Sequence, residues 1–326
     1  MRDTVFGGVI SSCSDDDEGA GGSARPPKEN LELTTPDGKQ IKLVSNGEYS
    51  ITYNDEGLPT LMADRYGHSN VEFSYNPMRF RFTGENYDGE EIVYTVTLNA
   101  KGYVSKIHCD YSSNYDDGWE KGSGDFLCSY NAADQLSGIT LANNFSGVED
   151  GDRYSYSSKR NARVSYDGNK IAKVEIREEE NEDGDIETSH DVFTYDYSAV
   201  CPNVLGQFSH SLQKTLFWDL DELSYMSMMG LMGKPSVQFP SSVRHEQEWA
   251  YDGREYSNTN TYNASYTFGS DGRLKRERYS YGSYDYVYSD EANGSSVKAK
   301  AAPASVKPLR GLMKSHRARR AHKQAR

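Results

Sequence analysis

The chain has 326 residues, enough for one large β domain or two ordinary ones, yet only 36% are hydrophobic and the mean hydropathy is -0.81. No run of about 18 apolar residues occurs, so a transmembrane helix is excluded, and the profile fits a thin sheet with a wet face better than a thick core. The net charge is -13, but residues 296–326 hold ten Lys or Arg and no acid. The other 26 basic and 49 acidic residues leave -23 on the rest, which repels nucleic acid and anionic membrane surfaces.

Residues Thr4 to Ser12 form a short, weakly apolar stretch that ends in Ile10-Ser11-Ser12-Cys13. An apolar residue, two small residues and a cysteine make the pattern of a bacterial lipoprotein cleavage site. The expectation is a signal peptide over 1–12, lipidation of Cys13, and a flexible acidic tether over 13–30. The run Ser14-Asp15-Asp16-Asp17-Glu18 resembles the surface-export signal of Bacteroidetes lipoproteins. It implies a lipid-anchored protein of the outer membrane, exposed at the cell surface, that meets lipid only through Cys13.

From 31 to 290 one unit recurs: an alternating, aromatic-rich strand, a turn with Asn, Asp or Gly, and another alternating strand. Copies place turns at Asn54–Gly57, Asn99–Gly102, Asn131–Asp134, Asp167-Gly168 and Gly269–Gly272. Asn or Asp early and Gly late let the chain reverse, because Gly and Asn accept positive φ. Asp88-Gly89, Asp117-Gly118, Asp183-Gly184 and Gly282-Ser283 read as tighter two-residue hairpins. The 25 Tyr suit half-buried sheet faces, with an apolar ring and a wet hydroxyl. The expected fold is a single all-β domain, an antiparallel meander of about fourteen strands forming a strongly curved open sheet or partial barrel. Alternate positions such as Lys173, Glu175 and Arg177 are charged, which argues against a lipid-facing barrel.

The stretch 204–233 breaks the alternation. Leu212, Leu216, Leu220 and Leu223 step by three and four, and Met226, Met228, Met229 and Met232 follow before Gly233 and Pro235. This predicts a short helical insert whose apolar stripe plugs the barrel or packs on the sheet. Residues 291–326 read as a basic disordered tail.

The hairpin array, together with Met229-Gly230-Leu231-Met232-Gly233-Lys234-Pro235-Ser236 running into Phe239-Pro240-Ser241-Ser242, resembles a family of Bacteroidetes lipoproteins classed as a domain of unknown function with a porin-like fold. The resemblance covers roughly residues 30 to 290. It implies a water-soluble, strongly curved antiparallel sheet, no known activity and no catalytic residues. The basic tail departs from the family's pattern.

Few residues stand out as sites. Cys109 and Cys128 flank the predicted hairpin near Gly118, which makes them opposite or diagonal neighbours and a candidate disulfide, with buried free thiols as the alternative. Trp119, at the tip of that hairpin, is a candidate stacking platform for a sugar. Trp218 and Trp249 read as core. The acidic runs match no calcium loop, and the seven His are scattered. No catalytic residue, metal site or cofactor is assigned. The composition points to a non-catalytic binding module for a glycan or another surface protein. The alternatives are a glycan-directed hydrolase with a carboxylate pair in the concave face, and a periplasmic scaffold.

Overall fold

The computed structural model describes residues 25–65, 70–83, 90–115, 118–149, 151–218, 220–251, 253–279 and 282–291. Cys13, the expected leader, the start of the tether, the basic tail beyond Glu291 and the pair Asp88-Gly89 lie outside the described residues. A one-turn helix α1 (Lys28–Leu31) precedes a small hairpin of β1 (Leu33–Thr34) and β2 (Gln40–Ile41). Seventeen further strands follow among the described residues: β3 (Leu43–Ser45), β4 (Tyr49–Tyr53), β5 (Pro59–Asp64), β6 (Asn70–Ser74), β7 (Arg79–Thr83), β8 (Glu90–Leu98), β9 (Val104–Tyr115), β10 (Gly118–Tyr130) and β11 (Leu136–Glu149). Then come β12 (Asp152–Asp167), β13 (Lys170–Glu182), β14 (Asp185–Asp196), β15 (Ser242–Tyr251), β16 (Arg254–Phe268), β17 (Leu274–Tyr279), β18 (Gly282–Asp285) and β19 (Val287–Tyr288).

The expected all-β antiparallel meander is present. It differs from expectation in count: nineteen strands stand among the described residues, several of them short, and the last is split at Tyr286. The sheet also closes on itself. The seam is short: Val287 pairs with Ser45 and Tyr288 with Leu43. Just past the seam, Asp290 is held by Lys39 Nζ at 2.7 Å from one side and by Arg273, which donates to Asp290 Oδ1 at 2.8 Å and to Glu291 Oε1 at 3.1 Å, from the other.

One end of the barrel is built by the recurring turns. Asn54, Asn99 and Asn131 each turn a side-chain oxygen back onto the loop, accepting from Leu58 N at 2.9 Å, Tyr103 N at 3.0 Å and Gln135 N at 3.0 Å. The last turn residue takes positive φ at Gly57, Gly102, Asp134 and Gly272, as the turn chemistry requires. At the other end, Asp183 and Gly184 both have positive φ, the two-residue turn that matches strand twist. The Gly282-Ser283 turn is misplaced in the sequence reading. Tyr279 pairs with Gly282, so Gly282 opens β18 instead of forming the turn.

The tyrosines explain the repeat. Several strands that run into the turn-built end close on a Tyr whose ring points inward, next to a register shift in the ladder. Its hydroxyl donates to a backbone carbonyl at or beside the start of the preceding strand. Tyr53 reaches Leu43 O at 2.8 Å, Tyr75 Pro59 O at 2.8 Å, Tyr130 Val104 O at 2.7 Å, and Tyr166 Leu136 O at 2.9 Å. Tyr197, Tyr266 and Tyr288 do the same with Ile171, Pro240 and Leu274. Each bulge frees a carbonyl, and a buried unpaired carbonyl is costly, so the hydroxyl fills the gap.

The insert is two helices, α2 (His210–Leu216) and α3 (Asp221–Met228), rather than one. They sit inside the lumen as a plug. Leu212, Leu216, Leu220, Leu223, Met226, Met229 and Met232 are all buried against inward residues of the wall. Glu277 of β17 holds the start of α2, accepting from His210 N at 2.7 Å and Ser211 N at 3.0 Å. Burial pushes the Glu48 carboxyl up, but Lys214 and His210 of the plug outweigh it and hold the pKa at about 2. The outward face is polar along its length: Arg153, Ser155, Lys159 and Arg163 on β12, Glu175, Arg177 and Glu179 on β13. Cations in such positions cost about 2–4 kcal/mol each at a bilayer midplane, so this wall is built for water.

Candidate functional site

The wall is uneven in height. Strands β8 to β16 have nine to sixteen residues, whereas β3 to β7 have three to six. At about 3.3 Å per residue the tallest strand runs roughly 50 Å and the short ones under roughly 20 Å. Among the described residues, the tall half therefore extends beyond the short strands as an open trough above the plug.

The inward residues of that wall change character along each strand. On β13 they run Val174, Ile176, Glu178, Glu180; on β14 they run Phe193, Asp191, Ser189, Glu187. The apolar members face the plug and the polar members face the trough. Register aligns them in rungs. One rung joins Arg160, Glu178, Ser189, Trp249 and Tyr256 across five strands. The next sets Ser158 beside Glu180 and Glu180 directly opposite Glu187.

Where this wall meets the plug there is a cavity of about 220 Å³. Trp218, from the loop between α2 and α3, and Trp249 of β15 both line it, with Arg160, Glu178, Glu180, Glu187, Asp191 and Gln247. Trp249 stacks on Tyr256, ring centres 5.4 Å apart and 13° from parallel. Arg160 Nη2 donates to Glu178 Oε2 at 2.7 Å and Nη1 donates to the Trp218 carbonyl, so the guanidinium ties wall to plug. His245 Nε2 lies 2.8 Å from Asp191 Oδ1, and its ring stacks on Phe193 at 4.2 Å and meets Trp218 at 4.8 Å. The Asp191–His245 pair thereby fixes the position of Trp218. Tyr156 donates its hydroxyl to Glu180 Oε1 at 3.0 Å. Indole faces beside planar amide, carboxylate and guanidinium groups suit a ring with apolar faces and hydroxyl edges.

A wider groove of about 800 Å³ lies over β7 to β11. Its outward walls are Thr95, Ser112, Ser123, Asn144 and Ser146 with Arg79, Asp110 and Lys121, while Tyr111 and Phe145 point inward by alternation. It offers hydrogen bonds without an outward stacking face.

The residues singled out in the sequence fall elsewhere. Trp119 stands on the outer face of β10, 37% exposed, with Lys121 Nζ 5.3 Å from its ring centre. It shares no cavity with Trp218 or Trp249. Cys109 and Cys128 do not form a disulfide: both thiols are free. Gly118 pairs with Tyr115, so the hairpin turns at 116–117, outside the described residues, and Cys109 faces Gly124. Four residues separate Gly124 from Cys128, about 13 Å along the strand, well beyond the roughly 7 Å limit between Cα atoms of a bridge. Burial pushes the Cys128 thiol up to about 12. Trp249 is a half-buried cavity wall rather than core, the reverse of the sequence reading, whereas Trp218 lines the cavity and also packs, half-buried, against the core as the sequence suggested. Among the described residues no His, Cys, Asp and Glu group is arranged to hold a metal ion.

One ionisable group in the plug is unusual. Glu222 of α3 is buried, and burial pushes its carboxyl up to about 7. Tyr94 donates its hydroxyl to Oε1 at 2.9 Å, while Oε2 is enclosed without a hydrogen-bond partner.

No protein-family model matches the chain, and no curated protein does. Among solved structures it is similar to a porin-like protein from Bacteroides vulgatus ATCC 8482, at 12% identity and a TM-score of 0.44, covering 79% of this chain and 97% of the other. It is also similar to a porin-like protein from Bacteroides uniformis ATCC 8492, at 16% identity and a TM-score of 0.42, covering 79% and 94%.

Proposed function

We propose that this chain is a non-catalytic, surface-displayed lipoprotein that captures a glycan in the cavity between the tall wall and the plug. The observation that carries the reading is the meeting of Trp218 and Trp249 with Arg160, Glu178 and Gln247 around a space of about 220 Å³. That volume is room for about seven waters, the scale of one sugar ring. The lumen is filled below this point by buried Leu and Met side chains, which suits a closed receptacle rather than a pore. The run Ile10-Ser11-Ser12-Cys13 and the acidic stretch behind it support anchoring at the outer membrane through Cys13, with the barrel facing outward.

A glycan-array screen of the full chain beside Trp249→Ala tests the reading. Signals that fade in the variant while its fold is retained are expected. Signals that survive it unchanged would place binding elsewhere, with Trp119 the next platform to remove. Incorporation of labelled palmitate that persists in Cys13→Ala would overturn the anchor.

A hydrolase is the second reading, because Glu180 and Glu187 face each other in register inside the same cavity. Carboxylates that split a glycosidic bond flank it. Glu180 and Glu187 stand side by side on one wall and approach a ring from one side, which favours holding over cleaving. Release of reducing ends that disappears in Glu187→Gln would reverse that preference.

A further inference from the structure

The groove over β7 to β11 is the larger of the two hollows, about 800 Å³, and its side chains stand on the outer face of the wall. Gly122 of β10 lies at its floor, and the Phe145 ring packs across the lumen side of that bare backbone, where a Cβ would stand. A glycine inside a strand marks a bend or a close approach. Five polar side chains surround this floor on adjoining outward rungs. Ser123 faces Asn144, Ser112 and Ser146 flank Lys121, and Thr95 stands one rung nearer the closed end. None of the five makes a side-chain hydrogen bond among the described residues. Nearer the closed end the same strands close such pairs, Ser129 with Ser137 at 3.3 Å and Thr140 with Asn161 at 3.4 Å. Charge in the groove is spread rather than gathered. Arg79 and Lys121 stand three strands and four residues apart in register, roughly 20 Å across the sheet. Asp110 lies between them and pairs with His108 Nε2 at 3.3 Å. The groove's own lining has no stacking face, but Trp119 stands one outward step beyond Lys121 on β10, roughly 7 Å away. Lys121 Nζ lies 5.3 Å from its ring centre, a contact that is weak at an exposed site and yields to a stacking ring.

We infer that this outer face is a second glycan site, and that it takes an internal stretch of an uncharged polysaccharide, with sugar hydroxyls on the five uncommitted side chains and one ring against Trp119. Size sets the length: about 800 Å³ holds roughly three or four rings by the measure that gives the cavity one. The scattered charges set the class, since neither sign is gathered where one ionic group of a sugar could meet it. Position sets the mode. The described residues leave the groove as open sheet face, so a chain runs past it in both directions, whereas the cavity ends at the plug and takes a chain end. The inference stands on the groove alone, and holds or fails independently of the cavity reading.

The test is native affinity electrophoresis of the full chain through gels holding dextran, galactomannan, xyloglucan or polygalacturonate, beside Trp119→Ala, Asn144→Ala and Trp249→Ala. The expected result is retardation by at least one of the three uncharged polymers, about tenfold weaker in Trp119→Ala and unchanged in Trp249→Ala. Asn144→Ala should weaken it too, and carries the test if Trp119→Ala unfolds. Oligosaccharides of the retarding polymer should gain affinity up to roughly three or four rings and no further. Affinity that stops rising at one ring overturns the internal-stretch mode. Retardation lost in Trp249→Ala and kept in Trp119→Ala assigns the polymer to the cavity, which overturns the second site and leaves the cavity reading standing. Stronger retardation by polygalacturonate overturns the uncharged class. No retardation by any polymer overturns the inference, while short glycans on the array still decide the cavity.

Discussion

The closed end and the mouth of the barrel use the same residue types to opposite ends. At the closed end, seven tyrosines turn inward and each spends its hydroxyl on a backbone carbonyl of the fold itself, as Tyr166 does on Leu136. At the mouth, Tyr156 donates to a carboxylate, and Tyr256 lies flat on Trp249 at 38% exposure. Aromatic rings that satisfy the chain build structure. On the function proposed above, aromatic rings beside carboxylates in an open cavity are left for a ligand. The same inward alternation supplies both, and only the position along the strand decides which.

The sharpest way to break this comparison is to damage one end and read both. Leu223→Ala in the plug removes a fully buried side chain among Leu and Met neighbours. It should destabilise the protein by about 2–5 kcal/mol, read from denaturant midpoints at constant slope. Trp249→Ala at the mouth should cost about 1 kcal/mol, the worth of a stacked pair, yet abolish ligand binding. If Trp249→Ala instead unfolds the protein, the mouth is part of the core and the distinction falls.

A second, intermediate effect tests the plug through pH. The Glu222 carboxyl has a folded pKa of about 7 against 4.5 for the free group, raised by burial. Below pH 4.5 it is protonated in both states and its contribution is fully present. As pH climbs through 7 the unfolded chain releases its proton first, so stability is lost, by roughly 3 kcal/mol in total. Glu48 runs the other way, with its pKa held at about 2, and its loss lies at acid pH outside this window. Glu222→Gln should flatten the fall between pH 4.5 and 8, because the amide oxygen still accepts from Tyr94. A fall that persists unchanged in the variant would assign it to other groups.

What the sequence disclosed divides along the same line. The closed end was legible because its chemistry is local: Asn54, Asn99 and Asn131 cap their own turns within four residues. The plug was legible because Leu212 to Leu223 carry a helical period inside an alternating chain. Closure was not, since it hangs on two pairs between residues about 240 apart. The mouth was half legible. The change from Val174 and Ile176 to Glu178 and Glu180 at one parity marks where a packed lumen becomes a wet one, and that signal was available. The rung from Arg160 to Tyr256 was not, because it depends on the register of four successive pairings. The Cys109–Cys128 expectation shows how sharp that dependence is: a turn displaced by one residue moves the partner of Cys109 by two, to Gly124.

The smallest expected effect is also the finest test of the comparison. Tyr166→Phe deletes one hydroxyl at the closed end and strands the Leu136 carbonyl that it satisfied at 2.9 Å. The net worth of such a bond is about 1 kcal/mol. Tyr256→Phe deletes one hydroxyl at the mouth, from an exposed ring that holds its place by stacking on Trp249, and should change stability by less than about 0.5 kcal/mol. Paired urea titrations resolve that difference, provided the slopes agree. Equal losses in the two variants would mean that the mouth hydroxyls also serve the fold. A loss only at Tyr166 ties the tyrosine repeat to the bulged carbonyls of the closed end, and leaves the rings of the trough to whatever the cavity holds.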